Sequence, residues 1–173
     1  MEDGFAFLPM QIFTQVEASE IVAYNAKTAR YGLTLTQEQA AELTQTRSRS
    51  LAATGRVEFS GGIIGKLIEA FADSPYLQQR EYAETLNELV EAFYYYKNET
   101  LDTLSDDELI ALMKDYYNHR SGGSLELLTG RELEKLARGI RFEGLNVEEE
   151  SVEQDGEDDY GYWGWYSNEL GNQ

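Results

Sequence analysis

The chain has 173 residues, 42% of them apolar, which is enough for one domain with a packed core. It has no cysteine, which excludes a disulfide framework, a thiolate metal site and a cysteine nucleophile. A formal net charge of −18 opposes binding to nucleic acid or to an anionic membrane and suits a basic partner, although carboxylates in this number also serve solubility alone.

The N-terminal stretch MEDGFAFLPMQIF carries Glu2 and Asp3 and lacks the basic start and long apolar run of a signal peptide. No stretch approaches the ~20 apolar residues of a membrane span. A cytoplasmic protein is the expectation. Helix signals then follow in order. Thr14 opens a Thr-x-x-Glu box with Glu17, and Gly32 closes that helix. Thr36 opens a second box with Gln39, closed by Gly55. In such a box the hydroxyl accepts from the third backbone N–H while the longer side chain reaches back. Glycine takes the left-handed position after the last turn at no steric cost.

Arg56–Phe59 hints at a strand but is too short to build a sheet. Ile63, Ile64, Leu67, Ile68 and Phe71 form an apolar stripe at helical spacing. Ser74-Pro75 starts a further segment, with proline where a missing first-turn N–H does no harm. Its stripe is Tyr82, Leu86, Leu89, Val90 and Phe93. Ser105 pairs with Glu108 ahead of Leu109, Leu112, Met113, Tyr116 and Tyr117. Thr129 pairs with Glu132 ahead of Leu133, Leu136, Ala137 and Ile140, and that helix runs to Gly139. These signals predict an all-α fold, a compact bundle of about six helices over residues 1–142. No internal repeat of solenoid length is visible.

After Phe142 the character changes. All 14 Lys and Arg lie at or before Arg141, so residues 143–173 hold 10 of the 32 acidic residues and no basic one. The body is thus −8 and the tail −10. Residues 143–159 carry nine carboxylates and almost nothing apolar, too little to offset the entropy of ordering, which predicts a flexible acidic tail. The tail then presents five rings in seven residues, Tyr160, Tyr162, Trp163, Trp165 and Tyr166, including both tryptophans of the chain.

The stretches QIFTQVEASEIVAYNAKTARYGLTLTQEQAAELTQTRSRSL, GRVEF, FADSPYL, YAETLNELVEAFYYYKNETLD, LSDDELIALM and SLELLTGRELEKLARGIRF resemble an uncharacterised bacterial family. It is a domain-of-unknown-function family of short proteins from clostridia-like bacteria. The resemblance spans roughly residues 10–142 and implies a bacterial source and a body older than its tail. It brings no established activity, so no catalytic residue is carried over.

Four constellations bear on chemistry. RVEFSGGIIGKL, residues 56–67, has the outline of a phosphate-binding loop, but Ser60 stands where its first glycine belongs and Leu67 where the magnesium-binding hydroxyl belongs. A helix start with loose backbone requirements is the better reading. His119 is the only histidine, with Asp115 one turn before it, and a metal site or a triad would need further converging groups. A place at a helix end, where a partial positive charge is favourable, fits it better. Arg47 falls on the apolar stripe between Leu43 and Leu51, and Glu20 does so between Phe13, Val16 and Tyr24. Two such charges should pair inside the core, Arg47 with Glu20 or Glu17. The alternative is an anion pocket of Arg47, Arg49 and Arg56. Glu81, Glu84, Glu88 and Glu91 form an acidic ridge about 15 Å long, either a solvated helix face or a sparse imitation of a nucleic-acid backbone.

No cofactor, metal or nucleotide is expected. The sequence points to a non-catalytic protein-interaction module whose acidic–aromatic tail contacts a basic or hydrophobic surface. That surface would lie on a protein partner, on a second copy through self-association, or on the body itself. Direct nucleic-acid and membrane binding are not expected. The alternatives are a nucleic-acid-mimic inhibitor and an enzyme with no recognisable motif.

Overall fold

A computed structural model describes residues 7–58 and 62–143 of the chain. All regular structure among them is helical. In chain order the elements are α1 (Phe7–Ala23), the single turn α2 (Asn25–Thr28), α3 (Gln37–Thr54), α4 (Ile64–Phe71), α5 (Tyr82–Glu99), α6 (Asp106–His119), the single turn α7 (Leu125–Leu127) and α8 (Leu133–Arg138). Six of these exceed one turn, which is the all-α bundle of about six helices that the periodicity predicts. Of the strand hint Arg56–Phe59, Arg56–Glu58 are irregular and Phe59 lies outside the described residues. No described helix is long and apolar enough to cross a membrane. The tail expectation, a mobile acidic segment, falls on residues that lie outside the described ones from 144 onward.

Two capping boxes form as read. Thr36 Oγ1 accepts from the Gln39 N–H at 3.1 Å, and Gln39 Oε1 accepts from the Thr36 N–H at 2.9 Å. Ser105 and Glu108 do the same at 3.2 and 2.7 Å. The hydrogen bond from the Ser105 backbone holds the Glu108 carboxyl below its usual range. Gly55 ends α3 at φ +65°, a left-handed position that a residue with a Cβ occupies only at a cost.

The other starts differ from the sequence reading. α1 is already helical from Phe7, so Thr14 lies inside it and starts nothing. Ser74-Pro75 makes a turn, closed by Leu77 N–H donating to Ser74 O at 3.4 Å, and α5 begins only at Tyr82 after a 3-10 turn at Gln79–Glu81. The last helical segment starts at Ser124, whose Oγ accepts from the Leu127 N–H at 3.2 Å. Thr129 instead donates back to Leu125 O at 2.9 Å. Gly139 has right-handed φ −57° and is buried, so the chain passes through it into a π turn at Gly139–Glu143.

The predicted stripes meet in one core. Leu43 of α3, Leu67 and Phe71 of α4, Leu89 of α5, Leu109 and Met113 of α6 and Leu133 of α8 are all fully buried. Each such side chain contributes about 1.5–3 kcal/mol by leaving water. α3 packs on α1 and α5, α4 on α5 and α6, and α8 on α5. Between α5 and α6 the chain reverses through Leu101 and Asp102, both at φ +56°. The buried Lys97 stabilises that reversal, its Nζ donating to Leu104 O and lying 3.0 Å from Asp106.

Candidate functional site

Arg47 sits on the apolar face of α3, as its wheel position requires, and is 8% exposed. The carboxylate that reaches it is that of Glu58, not of Glu20 or Glu17. After the left-handed turn at Gly55 the chain doubles back, and this brings Glu58 over the helix it has just left. Glu58 Oε2 accepts from Arg47 Nε at 3.1 Å, from Arg47 Nη2 at 2.8 Å and from Tyr94 Oη of α5 at 2.8 Å. Burial, then the neighbouring Glu58, pushes the Tyr94 phenol up, so it stays a donor. Burial pulls the Arg47 guanidinium down, but its hydrogen bonds to Glu58 and Tyr94 outweigh that and hold it above its usual value. Gly62, at φ +71°, closes over this group, and a Cβ there would fall 2.2 Å from Arg47 Nε.

A cleft of about 520 Å³ lies beside this staple, lined by Glu17, Glu20, Tyr24, Arg47 and Lys66. The sequence reading puts Glu20 on an apolar stripe as the core partner of Arg47; Glu20 is instead exposed, on the lining of this cleft. The three arginines do not converge. Arg56 pairs with Asp102, and Arg49 Nη2 donates to Thr46 Oγ1 at 3.1 Å. The rejected phosphate-loop reading has its physical explanation here. A Cβ on Gly65 would lie 2.3 Å from Tyr24 Oη, so this glycine serves helix contact, and Lys66 Nζ lies 2.9 Å from Asp107. His119 is the last residue of α6, exposed, with Nε2 3.9 Å from Asp115.

A larger groove, of about 600 Å³, runs between α3 and α5 and ends at Thr129 and Gly130. Ala53 and Thr54 form one side; Ala92, Tyr95 and Tyr96 form the other. Tyr95 is 51% exposed and rests edge-on against Tyr96 with ring centroids 4.9 Å apart. Glu88 and Glu91 stand on its rim and continue the ridge begun by Glu81 and Glu84, all four exposed. Partial burial, then the charges of Glu84 and Glu91, raises the Glu88 pKa. The sequence reading missed this groove. Its signal is the run FYYYK at 93–97: at 100° per residue successive rings cannot all face one core, and Tyr95 is the one turned out. The predicted contact residues Tyr160, Tyr162, Trp163, Trp165 and Tyr166 lie outside the described residues.

The body is thus an all-α domain with an Arg–Glu–Tyr staple across α3 and α5 and an acidic, aromatic groove next to it. It belongs to a family of unknown function, DUF6323, which matches residues 20–146. The match contains the staple and the groove and stops short of the aromatic end of the tail. No curated protein and no solved structure matches the chain.

Proposed function

We propose that this protein is a non-catalytic interaction module of the bacterial cytoplasm whose acidic–aromatic C-terminal segment engages a basic or apolar surface on a protein partner. The observation that carries the reading is the segregation of residue types in 143–173: ten carboxylates, five clustered rings and no cation. Carboxylates steer a basic partner into encounter, and tyrosine and tryptophan are the usual anchors of small interfaces. The body supports the reading through its buried cations, Arg47 and Lys97, which are joined to Glu58 and Asp106 in contacts that fix the chain. The exposed ridge Glu81–Glu91 favours nucleic-acid mimicry as a second reading. Four carboxylates over about 15 Å are nevertheless sparse beside one phosphate per ~1.7 Å of duplex.

Both tryptophans lie in the tail, so tryptophan fluorescence, excited at the red edge where tyrosine does not absorb, reports that segment alone. The expected result is water-like emission from the isolated protein and a blue shift on adding a basic partner. Blue emission lost on dilution would mean self-association, and blue emission unchanged by dilution would mean docking on the body. Water-like emission throughout, with full function after truncation at Gly144, overturns the proposal.

A further inference from the structure

We propose that the α3–α5 groove is a docking site for a cationic amphipathic segment of a protein partner. Apolar side chains of that segment would enter between Ala53 and Tyr95, and its lysines or arginines would face Glu88 and Glu91. The inference rests on the interaction reading above for the kind of partner, and it adds a second contact, in the body.

Three observations select this occupant. The floor is apolar and aromatic, with Tyr95 left half in water, and a ring placed so offers both contact area and a face for a cation. The groove's volume of about 600 Å³ suits a few side chains rather than a whole domain face. The rim is negative: Glu88 and Glu91 line it with Glu84 one turn away, and Arg49 is the one cation among the described lining residues. The mutual repulsion of these carboxylates raises the Glu88 pKa after burial does, and an incoming cation relieves it. The same charge argues against the other occupants. The chain's own tail carries −10, and a second copy carries −18, so both approach this rim against repulsion.

The test uses the full chain and, as probe, a fluorescein-labelled amphipathic helix built only of leucine and lysine, read by anisotropy. Its leucine–glutamate counterpart is the control. Glu88, Glu91 and Ala53 are exposed, so substitutions there leave the core intact. E88Q/E91Q and, separately, Ala53→Phe, which fills the groove, should each weaken binding about tenfold, or 1.4 kcal/mol. E81Q/E84Q removes the same charge from the ridge outside the groove and should weaken binding by no more than about threefold, as expected for a screened field effect. Equal losses from the two glutamate pairs, or no loss with Ala53→Phe, overturn the groove. So does binding by the leucine–glutamate control. Groove-dependent binding with unmoved tryptophan emission would leave the groove standing and remove the tail reading. A blue shift with groove-independent binding would do the reverse.

Discussion

Glu58 joins two helices through a single oxygen, and the consequences can be measured one side chain at a time. Glu58→Ala leaves the buried guanidinium of Arg47 and the Tyr94 hydroxyl without this acceptor. The expected loss is about 1.5–3 kcal/mol in urea denaturation, the range for hydrogen bonds to charged groups. Tyr94→Phe removes one donor and should cost about 1 kcal/mol. The double variant should lose less than the sum, because both act on one oxygen; strict additivity would mean the three groups are not a unit. Gly62→Ala meets both a left-handed φ and Arg47 Nε and should cost about 1–3 kcal/mol. Glu88 works in the opposite direction. Its pKa in the folded protein is raised, so the folded state binds this proton more readily than the unfolded chain does. Above the raised value the penalty for its charge is fully present, and it fades as pH falls through that value toward the unfolded one. Glu88→Gln should therefore raise the melting temperature at pH 7, by no more than about 0.5 kcal/mol equivalent for so exposed a site. The gain should vanish in acid, and a gain that grows in acid would contradict the sign.

At the level of the elements, the two capping boxes at Thr36 and Ser105 should each be worth about 1 kcal/mol, read as the loss on replacement by alanine. Ser124→Ala should cost more than Thr129→Ala, because Ser124 holds the orphan N–H of Leu127 while Thr129 only bonds back along its own turn. This contrast shows what was legible in the sequence. Thr36 and Ser105 follow non-helical residues, so their boxes mark real starts. Thr14 and Thr129 carry the same pattern inside chain that is already helical, and the pattern holds no information about what precedes it. The apolar stripes located the core because periodicity is a local property. The partner of Arg47 was hidden because it depends on one left-handed residue, Gly55, that reverses the chain and returns Glu58 from 11 positions away. The wheel gives Glu20 an inward place that it does not have, because a position on a helix face does not say whether another element covers that face, and Glu20 stays exposed. The outward ring of the FYYYK run could have been read from its spacing, since four adjacent aromatics exceed what one buried face accepts.

Across the whole molecule, on the interaction reading, the segregation of charge and rings along the sequence would separate encounter from retention. The tail holds more than half of the net charge, −10 of −18, in fewer than a fifth of the residues. Long-range attraction scales with that charge and is screened over about 8 Å at physiological salt, so it acts on association. Ring burial is short-ranged and acts on dissociation. On the interaction reading, replacing the tail's Asp and Glu by Asn and Gln should slow binding of the leucine–lysine probe and flatten its salt dependence, with dissociation little changed. Trp163→Ala/Trp165→Ala should do the converse, raising the dissociation rate about tenfold or more, as for loss of a principal interface anchor. Both rates can be followed by stopped-flow anisotropy on the full chain. The melting temperature should be the same in both variants, because the core side chains of Leu43, Phe71, Leu89 and Met113 all come from helices that precede the tail. A fall in melting temperature with Trp163→Ala/Trp165→Ala would place the rings against the body instead, and an unchanged dissociation rate would leave the groove as the sole anchor.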